Sequence, residues 1–230
     1  RVTAHAPPAG RARTIRCRAA VPDDTAPRGI GGVLATVHEI TEKVIAERRV
    51  TILSELAARV AAAEVRRCAK MGLRGGDLAF KRMGLPLWHH DWYALWEASA
   101  ECRFPISFHS TGFKGLRAPD NPQMEQEYLI EWRLVRSALF QLDGMEVLVS
   151  LLASGACEKY PNFKFVLGEA GVTWIPYVLD RLDTEYEDRA RALGFSMKPS
   201  DYFRRQGYTT YQQDQFLEPN IPLVGEDNII

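Results

Sequence analysis

The sequence predicts an α/β protein built on a parallel sheet. Three observations carry this. Beyond about residue 64, short strand-like runs alternate with long helical patterns, the order that βαβ units impose. One run, Phe104–Gly112 (F-P-I-S-F-H-S-T-G), leads apolar and β-favouring residues into His109 and then into a small polar turn. It reads as a buried strand whose carboxyl end presents an imidazole to a loop, the place where α/β folds hold ligands. Finally, 46% of the 230 residues are hydrophobic, enough for a sizeable core.

Composition excludes several function classes. The 29 basic and 29 acidic residues balance, and no basic stripe is interleaved with aromatics, so no nucleic-acid partner is expected. No apolar run is long enough to span a bilayer, and no membrane partner is expected. Cys17, Cys68, Cys102 and Cys157 are widely spaced without a C-x-x-C, which points to reduced thiols in a cytoplasmic protein. The start lacks the apolar core of a signal peptide, and both ends of the chain read as cut.

In chain order, Arg13–Ala20 and Gly32–His38 read as strands, a hairpin joined by the turn-rich Pro22–Gly29. From Thr41 to about Glu64 an amphipathic helix is expected, with Val50, Leu53, Ala57 and Val60 on one stripe. Gly72–Phe80 reads as a strand and Leu85–Trp88 as a loop. Asp91 is placed as the N-cap of a helix Trp92–Cys102. The strand ending at His109 follows, then a loop over Phe113–Gln123 and helices over Glu125–Gln141 and Met145–Ser154. Phe163–Leu167 is the next strand, with Gly168–Gly171 as its exit loop. Trp174–Leu193 is helical, Ser200 caps a short helix into Arg205, and Tyr208–Gln212 is a further strand.

Two resemblances join this reading. The run G-G-V-L-A-T-V-H-E-I-T-E-K-V-I-A-E-R-R resembles the end of a PAS sensor domain and its signalling helix, over roughly residues 13–63. His38 there reads as a plain strand histidine. The second resemblance is more specific. L-P-L-W-H-H-D-W-Y-A-L-W-E-A-S-A-E-C-R-F-P-I-S-F-H is similar to the amidohydrolase-related family of aminocarboxymuconate-semialdehyde decarboxylase. So are L-L-A-S-G-A-C-E-K-Y-P-N-F-K-F-V-L-G-E-A-G-V-T-W-I-P-Y-V-L-D-R-L-D and Y-F-R-R-Q-G-Y, in the family's order and spacing.

This resemblance implies a partial (β/α)8 TIM-like barrel over residues 64–230, roughly strands 4 to 8, preceded by the hairpin and long helix of residues 1–63. It implies a metal-dependent hydrolase or non-oxidative decarboxylase acting on a small aromatic or cyclic carboxylate. His109 matches the family's fifth-strand metal histidine, which raises the metal reading above that of a strand-end histidine bonded to a backbone carbonyl. Glu169 stands where many members carry a second histidine. It is read as a ligand or base, or equally as an acid beside the start of the next helix. The metal expected is divalent and most simply zinc.

The departures matter. The family's H-x-H pair has no counterpart among His5, His38, His89, His90 and His109. The family's metal-binding aspartate falls in a G-S-D-x-P-H run, and the chain stops at Gly225–Ile230 just before it, with Asp227 read as the turn ahead of that strand. His109 and Glu169 alone make an incomplete site, so an inactive fragment is one expectation. A sensor fragment, or a chimeric reading frame joined near Ala61–Val65, is the alternative. Weaker candidates are Trp88 and His89 at a pocket rim, an ion pair between Arg181 and Asp183, a solvated face at Glu185 and Asp188, and a buried, inert Cys102. Open strand edges predict self-association.

Overall fold

The computed structural model describes residues 56–79, 85–109, 122–188 and 190–230. The hairpin expected over Arg13–Ala20 and Gly32–His38, the helix before residue 56, His5, His38 and most of the Phe113–Gln123 loop lie outside the described residues. The chain divides into two compact units, Arg1–Val50 and Thr51–Ile230. The strands and helices described lie in the second.

Four strands form one parallel sheet in sequential order. They are β1 (Gly76–Asp77), β2 (Ile106–His109), β3 (Phe165–Gly168) and β4 (Gly207–Thr209). Ile106 registers with Phe165 and His109 with Gly168, and Phe165 in turn with Gly207. A parallel bridge from Thr209 to Ile229 begins a further pairing. Parallel strands require crossovers, and helices supply them. Residues 56–70 form α1. Then come α2 (Tyr93–Cys102), α3 (Pro122–Glu127), α4 (Leu129–Ala138), α5 (Leu142–Ala153) and α6 (Ala156–Lys159). α7 (Ile175–Asp188), α8 (Pro199–Gln206) and α9 (Leu217–Val224) complete the set. The sequential parallel order is that of an arc of a βα barrel, and no closure into a full barrel is seen among the described residues.

Side-chain alternation sets the layers. Ile106 and Phe108 are buried while Ser107 is half-buried and His109 exposed. Phe165 and Leu167 are buried, with Val166 between them half-buried. One face of each strand therefore feeds the core beneath the helices, as a period of two requires. Aromatic rings fill that layer. Trp96 packs on Phe163 with centroids 4.9 Å apart and on Phe108 at 6.2 Å, and Phe165 meets Phe203 edge-on at 6.3 Å. Two of the buried polar side chains are satisfied by backbone. Gln206 donates to the carbonyls of Tyr160 and Phe163 at 2.9 and 3.0 Å, and Asn228 donates to Gly207 at 2.7 Å. Cys157 lies in this core, and burial pushes its thiol up to about 12.

Several local expectations need correction. The helix read as ending near Glu64 runs on to residue 70. The strand read over Gly72–Phe80 is only Gly76–Asp77, because three of the residues before Asp77 are glycines that pack nothing on the pleat. Asp91 is not an N-cap. His89 caps a 3-10 turn, His90–Trp92, and its Nδ1 accepts from the Asp91 N–H at 3.2 Å. The single helix read over Glu125–Gln141 breaks at Tyr128 and again after Ala138. The one read to Leu193 ends at Asp188 and a 3-10 turn follows. Ser200 does not cap α8. Pro199 takes the first helical position, and Ser200 donates from N and Oγ to Asp183 at 2.9 and 2.6 Å. Asp183 is thereby engaged, and Arg181 pairs with Glu185 instead. Cys102 is half-buried rather than buried.

Candidate functional site

The carboxyl ends of the strands share one rim, and each contributes a polar side chain. Asp77 closes β1, His109 closes β2, Glu169 follows β3 and Thr210 follows β4. Strand phase explains the arrangement. Burying Ile106 and Phe108 on the helix side turns Ser107 and His109 to the opposite face. A Cβ added at Gly168 would lie 3.4 Å from both Ser107 Oγ and His109 Cα, so these residues face β3 on the same side.

His109 and Glu169, the two residues singled out from sequence, come together. His109 Nε2 lies 3.3 Å from Glu169 Oε2, with each side chain about half exposed (50% and 51%). Their backbones are held by the outer two residues of the rim. Asp77 Oδ1 accepts from the His109 N–H at 3.1 Å. The Glu169 N–H donates to Thr210 Oγ1 at 2.8 Å. Glu169 also takes φ +51°, in the left-handed region that residues with a Cβ rarely adopt. Such conformations gather at functional sites, where surrounding contacts hold them in place.

The exit loop of β3 is anchored from the β4 side. Asp214 accepts from the Val172 N–H at 2.9 Å and from Thr173 Oγ1 at 3.1 Å, beside Gly171 at φ +69°. A Cβ at Gly171 would press on the Asp214 carboxylate at 3.3 Å. Thr209 Oγ1 donates to the Gly171 carbonyl at 2.8 Å. Asp77, Thr210 and Asp214 are not among the candidates read from sequence, and no local pattern marks them.

The remaining sequence candidates fall elsewhere. His89 spends Nδ1 on its turn, and His90 stacks on Tyr93 with centroids 4.7 Å apart. Trp88 is 54% exposed beside His89. Asp227 sits in the 3-10 turn Glu226–Asn228, ahead of the bridge at Ile229.

Among the described residues no three His, Cys, Asp or Glu side chains converge on a common point. His109 and Glu169 offer two donors where a zinc site takes three or four from protein. The described residues therefore do not complete a metal centre. As a pair, an imidazole and a carboxylate in contact can hold and pass a proton.

The amidohydrolase family model matches residues 18–230, and the chain belongs to that family. The match begins inside the stretch that resembles a PAS end, and it gives that resemblance no support. No curated protein matches the chain. Among solved structures, 5-carboxyvanillate decarboxylase from Sphingomonas paucimobilis is 23% identical with a TM-score of 0.54, over 75% of this chain and 51% of that one. The manganese-bound enzyme of the same name from Novosphingobium aromaticivorans is 19% identical with a TM-score of 0.57, over 81% and 59%. The 2,6-dihydroxybenzoate decarboxylase from Rhizobium is 20% identical with a TM-score of 0.51, over 81% and 64%. At these identities the likeness is one of fold. The chain spans about half the length of the first two decarboxylase structures it matches. No helix among the described residues is long and apolar enough to cross a membrane.

Proposed function

We propose that this chain carries part of the (β/α)8 barrel of a metal-dependent non-oxidative decarboxylase whose substrate is a small aromatic carboxylate. The observation that carries the reading is the 3.3 Å contact of His109 with Glu169 on the carboxyl rim of a parallel sheet. Family membership supports it, and so do the neighbours, which are decarboxylases by name. In this reading His109 is a metal ligand and Glu169 a ligand or proton-carrying base. The ion is divalent. Zinc is the ion expected from sequence, and manganese is the ion named in two neighbours. A bound ion would polarise the substrate.

The chain's own groups handle the proton. When the ring–carboxylate bond breaks, its electron pair stays on the ring carbon, carbon dioxide departs, and that carbon takes one proton. The His109–Glu169 pair stands ready to deliver it. The hydrolase reading differs in the atom attacked and draws on the same pair.

The remaining expectations belong to this proposal. The reduced thiols Cys68, Cys102 and Cys157 support a cytoplasmic setting. Self-association is supported by α4, none of whose side chains is buried and whose Ile130 and Leu134 are 80% and 70% exposed. The occupant proposed for that face is a second copy of the chain. Residues 1–63 and 64–230 are kept as the two proposed parts.

The test is metal content and carbon dioxide release together. A full-length barrel restored around this chain is loaded with manganese or zinc and given 2,6-dihydroxybenzoate or 5-carboxyvanillate. His109→Ala is expected to lower bound metal and turnover in parallel with an unchanged circular dichroism spectrum. Metal retained in full by His109→Ala, or no metal bound by the unmutated full-length protein, would sink the assignment.

A further inference from the structure

The Glu169 backbone is unusual, and among the described residues the side chain that bonds its N–H is Thr210. A glutamate at φ +51° places its Cβ against its own carbonyl, a conformation that persists where neighbours hold it. The preceding residue, Gly168, ends β3 in register with His109, so the chain must turn sharply to bring the next side chain back over the rim. The turn's free N–H is taken by Thr210. The Thr210 hydroxyl accepts from the Glu169 N–H at 2.8 Å and stands 3.4 Å from the Leu167 carbonyl, to which it donates. The Thr210 N–H donates to that same carbonyl at 3.1 Å, fixing Thr210 at the end of β4. One hydroxyl thus bridges the last turn of the β3 backbone on both its donor and acceptor sides.

We infer that Thr210 is a positioning residue, whose hydroxyl holds Glu169 in its left-handed turn and so delivers the carboxylate to His109. This rests on the role proposed for the His109–Glu169 pair. Thr210 itself touches neither the imidazole nor the reacting atoms in this assignment. Its chemistry is that of a short hydroxyl competing for local backbone groups, which serine and threonine do well and valine cannot.

Valine matches threonine in shape, so Thr210→Val removes the bridge with little change in packing, and Thr210→Ser restores the hydroxyl. The readout is the tautomer of His109. An ionised carboxylate only accepts, so a Glu169 carboxylate held beside Nε2 favours the tautomer that carries its proton there. Long-range nitrogen–proton NMR distinguishes the two imidazole nitrogens. It is recorded at a pH where the imidazole signals no longer move, with His109 assigned by its loss in His109→Gln. The unmutated chain and Thr210→Ser are expected to show the Nε2-protonated form, and Thr210→Val a shift of both nitrogen signals towards the mixed tautomers of a free imidazole. If Thr210→Val does not fold, Thr210→Ala is the second removal of the hydroxyl. A His109 signature unchanged in the folded variant, or lost equally in Thr210→Ser, overturns the inference. So does a mixed-tautomer signal in the unmutated chain. Absence of decarboxylation by the unmutated chain would count against the proposed function and leave this result standing.

Discussion

Gly207 opens β4 at the point where the sheet, α8 and the aromatic core meet, and a single carbon added there runs into two buried rings. Its backbone is ordinary extended structure, φ −92° and ψ 145°, so alanine can adopt it without strain. Space is the constraint. A Cβ there would lie 2.5 and 2.7 Å from Cδ2 and Cε2 of Phe203 and 2.8 Å from Cζ of Phe165. Carbon atoms rest at about 3.5–4 Å, so the rings must retreat by roughly 1 Å. Both phenylalanines are fully buried and lean on each other at 6.3 Å, so neither has free space to enter. Overpacking of this kind costs about 1–3 kcal/mol. At ~2–4 °C per kcal/mol for a chain of this size, Gly207→Ala is expected to lower Tm by roughly 2–12 °C, read by calorimetry. Phe203→Leu removes the nearer ring edge, so the same alanine should cost much less in that background. A Tm for Gly207→Ala within a degree of the parent, or equal costs in both backgrounds, would refute the steric account.

Other predictions follow from single contacts. Cys157 keeps its proton to about 12 when folded, because burial opposes the thiolate. An unfolded thiol loses its proton near 8.5, so the unfolded state binds fewer protons in between. Stability should therefore be fully present below about pH 8.5 and fall as pH rises towards 12. Denaturant titrations of the parent and Cys157→Ala should diverge in slope against pH over that window, and parallel slopes would count against it. Asp183→Asn keeps one acceptor but loses the charge facing both Ser200 donors, and should destabilise by about 1 kcal/mol in urea melts. Replacing Ile130 and Leu134 by glutamate should shift a self-associated species towards monomer in sedimentation at unchanged helicity. An unchanged sedimentation profile would free α4 from that role.

Much of the fold and part of the site can be read from the sequence for identifiable reasons. The strand at Phe104–His109 is legible because its alternation is strict, and the same alternation places His109 on the rim face. Glu169 is legible only through the family resemblance, which sets it where many members carry a second histidine. What escaped was tertiary. The Arg181–Asp183 pair failed because residues two apart on a helix do not face each other, whereas Glu185 lies one turn along from Arg181. Ser200 lost its capping role to a proline beside it and to Asp183 on another helix. Thr210 and Asp77 carry nothing locally that marks them, since each gains meaning only from the neighbouring strand it touches.

The sequential parallel order also bears on how the site comes into being. Each crossover must close a loop before its strands can pair, and that cost grows slowly with loop length, about 0.6 kcal/mol per doubling. The crossover from β2 to β3 is about twice as long as that from β1 to β2, and it holds three successive helices before α6. The β2–β3 seam is accordingly expected to form later than the pairings on either side of it. His109 stands on one edge of this seam and Glu169 on the other. Pulse-labelled hydrogen exchange should show the amides that join β2 to β3 gaining protection after those joining β1 to β2. The two groups that meet at the rim would thus be the product of the slowest pairing among the four described strands.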